Sequence, residues 1–179
     1  MRKKVALIFV LLMVLFSISG CRSVGEKVEE KVAEKAIEKA AEGEGEDVDV
    51  DISEEGMTIK SDEGELSIGE GAELPDGFPG VVPINPDLQI VTSWKSTDEG
   101  KENFAISALY SKGSGDEIFN WYKNELASSG WEITDEFTMD SGDEGKSSSF
   151  GASNGEYDLS IVVMDTEEEV SVMINVAEK

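Results

Sequence analysis

The sequence contains no histidine and only one cysteine, Cys21. The absence of histidine excludes imidazole acid–base catalysis and metal sites built on histidine. One cysteine cannot form an internal disulfide. The run Lys146–Ser149 does not make a Ser–Lys dyad, because neighbouring residues on a strand point to opposite faces of the sheet. We therefore expect no enzymatic activity and no cofactor.

Basic residues are also scarce. The chain has 15 lysines and arginines against 39 aspartates and glutamates, a formal net charge of −24. Such a surface repels nucleic acid and anionic lipid, so we predict no nucleic-acid partner and only weak, non-specific binding of divalent cations. The alternating aspartates of residues 47–51 do not form an EF-hand loop, because Ile52 and Thr58 stand where that loop needs Gly and Glu.

Residues 1–20 are the apolar exception in this polar chain. A basic start is followed by an apolar run over residues 5–16, which is too short to cross a membrane comfortably and is typical of a signal peptide. The sequence Ile18-Ser19-Gly20-Cys21 then resembles the lipobox of bacterial lipoproteins.

The lipobox resemblance implies cleavage between Gly20 and Cys21 and attachment of a diacylglyceryl group to the Cys21 thiol. Two acyl chains hold a protein stably on a bilayer, so we expect an exported protein anchored to the outer face of the cell membrane. The thiol would then be consumed by lipid, which excludes thiolate nucleophiles and zinc–thiolate sites. An ordinary signal peptide or an uncleaved N-terminal anchor is the alternative.

Two segments follow the anchor. Residues 21–44 are rich in helix-forming residues with a narrow apolar stripe, which predicts a solvated helical stalk or, as a sharper alternative, a partner-binding helix. Residues 45–72 change to alternating apolar and polar residues with two turns, which predicts a small three-stranded β-meander. A meander of this size is not stable alone, so it must dock on another part of the protein or remain partly ordered.

Residues 73–87 contain all four prolines and predict a stiff, extended hinge. With the pattern Y-x-x-x-L-x-x-x-G-W at residues 122–131, this segment resembles a domain of Gram-positive lipoproteins of unknown function. The acidic helix and the meander resemble the same group, so the resemblance covers most of the chain after Cys21. It implies no activity and no functional residue.

Residues 88–179 predict an α+β domain with the element order ββαββββ. The capping box Ser114/Glu117 begins the one clear helix and Gly130 ends it. We expect a two-layer domain in which this helix packs on one face of an antiparallel sheet, preceded by the helical stalk and the small meander. Strand alternation places Thr92, Trp94, Phe137 and Met139 on the helix side.

The opposite face of this sheet is the candidate interaction face. Apolar side chains are predicted there at five positions: Val91, Leu109, Val162, Met164 and Met173. Either the meander docks on this face, or the face is an exposed patch for a partner protein or an apolar ligand. We therefore expect a lipoprotein that displays a small non-enzymatic binding module, or alternatively an accessory subunit that docks on another cell-envelope protein or transporter.

Overall fold

The computed structural model describes residues 31, 34, 35, 37–39, 48–62 and 64–179. The predicted signal peptide, its cleavage site after Gly20 and the lipid-attachment residue Cys21 lie outside the described residues. The elements are β1 (Val48–Ser53), β2 (Gly56–Ser61), β3 (Gly64–Gly69), β4 (Leu88–Asp98), β5 (Lys101–Tyr110), α1 (Gly115–Ser128), β6 (Glu132–Asp140), β7 (Lys146–Ser153), β8 (Tyr157–Asp165) and β9 (Val170–Glu178).

All nine strands form one antiparallel sheet in the order β1-β2-β3-β4-β5-β9-β8-β7-β6. The chain leaves β5 through α1, which packs over β6, β7 and β8. It then returns through four neighbouring strands until β9 pairs with β5. The coarse class, a mostly antiparallel sheet with one helix on one face, is confirmed, but the sheet of the described residues has nine strands instead of the six of the predicted ββαββββ domain.

The additional strands come from the meander. Of the two alternatives, docking of the meander on the opposite face of the sheet is excluded, because β3 pairs edge to edge with β4. Hydrogen-bonding groups on the free edge of β4 are thereby satisfied by β3. The meander is thus a continuation of the main sheet.

Helix α1 is capped at both ends by residues close in the sequence. The Ser114 hydroxyl accepts from the Glu117 N–H, and the Glu117 carboxylate accepts from the Ser114 N–H, which completes the predicted capping box. Gly130 has φ +84° and the Trp131 N–H donates to the Leu126 carbonyl at 3.0 Å, as in a Schellman motif. Between these ends, α1 buries Ile118, Phe119, Tyr122 and Leu126 against the sheet.

The core lies between α1 and the face of the sheet that we call the inner face. Strands β5, β7, β8 and β9 supply alternate side chains to it, as the period of two requires. Its largest fully buried side chains include Phe104, Tyr122, Phe150, Ile161 and Ile174.

The proline-rich segment 73–87 covers part of this core. Pro75, Pro79, Val82 and Asn85 are buried. The indole N–H of Trp131 donates to the backbone carbonyl of Val81 at 3.3 Å. Because this segment is packed on the core and β3 joins β4 directly, the prediction of a hinge between two units is corrected.

Two β-bulges reverse the predicted facing of four side chains. The register of β4 shifts between Ile90 and Thr92, and the register of β6 shifts between Ile133 and Asp135. One extra residue moves every later side chain to the other face. As a result, Thr92, Trp94, Phe137 and Met139 lie on the face opposite α1, contrary to the prediction.

Helical residues that precede β1 lie against the edge of the sheet. The Ile52 N–H donates to Oε1 of Glu34 at 3.1 Å, and Ile37 and Val50 are both buried. The predicted solvated stalk is therefore corrected for these described residues. No helix among the described residues combines the length and apolar character that crossing a membrane requires.

Candidate functional site: the uncharged outer face of the sheet

The face opposite α1, called the outer face below, brings together four of the five predicted residues. Leu109, Val162, Met164 and Met173 lie there on the neighbouring strands β5, β8 and β9. Val91 occupies the bulge of β4 and has no Cα partner in β5, so it is not part of this group. The outer face is therefore the location of the predicted interaction residues.

Two rows of side chains cross β5, β9, β8, β7 and β6 on the outer face. The first row consists of Ser107, Met173, Val162, Ser149 and Phe137. The second consists of Leu109, Ser171, Met164, Ser147 and Met139. We call these ten residues the outer patch; four strand spacings make it about 19 Å wide.

The outer patch contains no charged residue, although 30% of the chain is charged. At that frequency about three of ten positions would carry a charge. Phe137 is 58% exposed, Met139 53%, Met164 44% and Met173 38%, while Leu109 and Val162 are half-buried. Large apolar side chains are thus exposed together at the place where the acidic surface is interrupted.

The next row extends this uncharged region. It consists of Ala105, Asn175, Ser160, Gly151 and Asp135. Its single carboxylate, that of Asp135, accepts a hydrogen bond from the Gly151 N–H at 2.8 Å, at the β6 edge of the sheet.

The outer face is also apolar on the side of the meander. Leu66 and Ile68 in β3 lie opposite Trp94 and Thr92 in β4. Ile68 is 39% and Trp94 42% exposed. The apolar character of this face therefore continues from the outer patch towards the meander.

A groove of about 450 Å³ adjoins the outer patch at the end of β5. One wall includes Leu109, Tyr110 and Ser111, and the other consists of the β8–β9 turn, residues 166–169, and Val170 at the start of β9. Glu167, Glu168 and Glu169 are exposed in that turn, and no ion pair among the described residues involves them. The groove thus places carboxylates beside the apolar patch.

A second, smaller pocket of about 230 Å³ lies near the meander. Three of its charged side chains are joined by ion pairs. Lys60 forms ion pairs with Glu65 at 3.2 Å and with Asp76 at 3.0 Å. Hydrogen bonds to Asp76 and Glu65 raise the pKa of Lys60, and the bond from Lys60 lowers the pKa of Asp76. The ion pair between Lys60 and Asp76 holds the proline-rich segment against β2.

Among the described residues, one buried titratable group has a strongly shifted pKa. Burial raises the pKa of Tyr122 to about 12, and its hydroxyl oxygen accepts from the Asn85 N–H at 3.4 Å. The phenol therefore stays protonated and fastens the proline-rich segment to α1. Within the described part of the chain, no three acidic or thiol side chains converge in the manner of a metal site.

Sequence reasoning missed Phe137, Met139 and Trp94 as outer-face residues. A signal was present, because Asp135 occupies a position that uninterrupted alternation would place in the core. A buried carboxylate without a partner is costly, so a bulge before Asp135 was the physically simpler arrangement.

Comparison with known proteins gives one finding. No curated protein and no solved structure matches the chain. A sequence profile of the START domain-like family matches residues 88–175, which extend from the start of β4 into β9 and include α1 and the whole outer patch. This part of the chain is therefore similar to the START domain-like family, which is compatible with a small, non-enzymatic ligand-binding module.

Proposed function

We propose that this chain is an exported, lipid-anchored protein that displays a non-enzymatic binding module, and that the outer patch is its binding surface. The observation that carries this proposal is the uncharged outer patch, six of whose ten side chains are large and apolar, in a chain of net charge −24. The similarity of residues 88–175 to the START domain-like family supports a binding role.

Removing apolar surface from water lowers the free energy by about 25 cal/mol for each Å². A patch of this kind therefore favours binding of an occupant that covers it. Its four serines lie among the apolar residues and offer hydroxyl groups that can donate or accept hydrogen bonds. The patch thus combines apolar contact with a few polar groups, which is the usual composition of a recognition surface.

The anchoring part of the proposal rests on the lipobox and its Cys21. Replacing Cys21 with serine removes the thiol to which the diacylglyceryl group would be attached. We expect the Cys21→Ser protein to carry no lipid and to be released from membranes. A Cys21→Ser protein that is cleaved normally and stays in the membrane fraction would contradict lipid anchoring.

Binding at the outer patch can be tested in the native membrane by placing a photo-crosslinking residue at Met164. The matched control carries the same residue at Glu125, an exposed position on α1. We expect a covalent adduct at Met164 and none at Glu125. No adduct at Met164, Met173 or Phe137 under these conditions would contradict a binding role for the patch.

The second candidate function is an accessory subunit that docks on another envelope protein or transporter. The shape of the site favours a macromolecular occupant, because the outer patch is a broad sheet surface and small ligands usually occupy enclosed pockets. An adduct of protein size at Met164, in a fixed ratio to this chain, would support the accessory role. An adduct of a few hundred daltons would support a small apolar ligand.

A further inference from the structure

We propose that the occupant of the outer patch is a polypeptide segment with apolar side chains on one side and a lysine or arginine at one end. The apolar side chains cover Met164 and its neighbours, and the basic side chain enters the groove beside Glu167, Glu168 and Glu169. This inference rests on the proposed function of the outer patch and adds the chemical class of the partner.

The position of the groove is the first argument. Leu109 belongs to the second row of the outer patch and also lines the groove. A segment that lies along this row therefore reaches the groove without leaving the surface. The volume of about 450 Å³ is ample for the end of a long side chain.

Charge complementarity is the second argument. Glutamates are three of the ten residues that line the groove, and Tyr110 on the opposite wall can contact the stem of a long side chain. Lys112, in the loop between β5 and α1, is near the groove but does not line it. The groove therefore carries an excess of negative charge, which favours a cation.

The same charges argue against the other occupants. A second copy of this chain would bring an equally acidic surface and another set of these glutamates to the interface. An anionic lipid headgroup would be repelled by the groove. An uncharged apolar molecule would leave the carboxylates without a role, although it could cover the methionines.

The experiment uses the full chain, extracted from membranes, and a synthetic amphipathic peptide of leucine and lysine as the probe. A matched peptide carries glutamate in place of each lysine. We expect the lysine peptide to bind and the glutamate peptide not to bind. Double substitution of Met164 and Met173 by serine, the residue that already alternates with them, should abolish binding.

The groove is tested with the triple variant Glu167→Gln, Glu168→Gln and Glu169→Gln. We expect about fivefold weaker binding of the lysine peptide, the upper end of what one exposed ion pair contributes, because the lysine in the groove loses its attraction to all three carboxylates. The matched control makes the same change of charge at Glu54, Glu70 and Glu73, which are exposed near the meander. This control should change the affinity by less than threefold.

Failure of this inference is distinguishable from failure of the proposed function. Equal binding to the triple variant and the control would overturn the cationic partner, while loss of binding in the Met164/Met173 variant would keep the patch as the site. Concentration-dependent dimers that disappear in that variant would show that a second copy is the occupant. A small adduct at Met164 in native membranes would likewise overturn the polypeptide.

Discussion

Leu66 in β3 lies directly opposite Trp94 in β4, on the outer face of the sheet. This pair joins a segment that could not fold alone to the sheet that contains the core. The stability of the meander therefore depends on the β3–β4 pairing.

Gly64 gives a direct test of that pairing. A Cβ atom at Gly64 would lie 2.2 Å from the backbone oxygen of Lys95 in β4, so the strands would have to move apart. We expect Gly64→Ala to lower the free energy of unfolding by about 1–3 kcal/mol, as overpacking does. Amide hydrogen exchange should show the largest loss of protection in β1, β2 and β3.

Gly80→Ala is the matched control, because a Cβ atom at Gly80 meets nothing within 4 Å. Its thermal unfolding should coincide with that of the wild type. Equal protection of β1–β3 in both variants would show that the meander does not depend on this contact.

Ser93 in β4 is fully buried, and its hydroxyl has no hydrogen-bond partner among the described residues. An unsatisfied buried hydroxyl costs about 1–3 kcal/mol. We therefore expect Ser93→Ala to raise the free energy of unfolding by about 1 kcal/mol in denaturant titrations. Ser148 is also buried, but its hydroxyl lies 3.2 Å from that of Thr138, so Ser148→Ala should destabilise the protein.

The raised pKa of Tyr122 predicts that the folded protein loses stability in alkali. Its pKa is about 12 in the folded protein, because the phenol is buried, against 10.0 for an ordinary tyrosine. The folded state holds the proton more tightly, so this contribution is complete below pH 10 and is lost as the pH rises through about 12. The expected loss is about 2–3 kcal/mol, since one pKa unit corresponds to about 1.4 kcal/mol.

Comparison with Tyr122→Phe isolates this contribution from other groups that titrate in the same range, such as Lys60 and Lys146. Unfolding free energies measured from pH 8 to pH 12 should fall less steeply in the variant. Parallel curves for the two proteins would contradict the assignment to Tyr122.

Met164 and Ile161 lie on opposite faces of β8. Substitutions at these two positions therefore distinguish a role in binding from a role in folding. Ile161 is fully buried, so Ile161→Ala should cost about 2–5 kcal/mol of stability. Met164 is exposed, so Met164→Ala should change stability by less than about 0.5 kcal/mol. Thermal melts of the two variants measure both effects, and a large loss in Met164→Ala would assign that side chain to the core.

Local sequence was sufficient to predict the elements whose signals agree with one another. The capping box of Ser114 and Glu117 indicates where α1 begins and Gly130 indicates where it ends, and the structure contains a helix between them. The alternation of β8 and β9 likewise placed Met164 and Met173 on the outer face, since no bulge interrupts the registered part of either strand.

The placement of the meander, of the proline-rich segment and of the groove depends on contacts between residues that are distant in the sequence. Alternation shows that the meander has an apolar face, but it does not distinguish docking by that face from pairing through the edge of β3. The position of the proline-rich segment depends on distant residues, because Phe78 packs edge to face against Phe104 in β5 and the Asn85 N–H donates to the hydroxyl of Tyr122 in α1. The groove forms where the β5–α1 loop meets the β8–β9 turn. The sequence of neither segment alone predicts that the two lie side by side.

The bulge at Thr134 decides the surface chemistry of β6. Thr134 is the extra residue between Ile133, which lies opposite Ala152, and Asp135, which lies opposite Gly151. Deleting Thr134 would remove the bulge and leave Phe137 and Met139 on the outer face, because the pairing on either side is already consecutive. The intact sequence paired without a bulge would instead carry Phe137 and Met139 into the interior and turn the carboxylate of Glu136 outward. One unpaired residue therefore determines whether this strand presents an apolar or a charged surface.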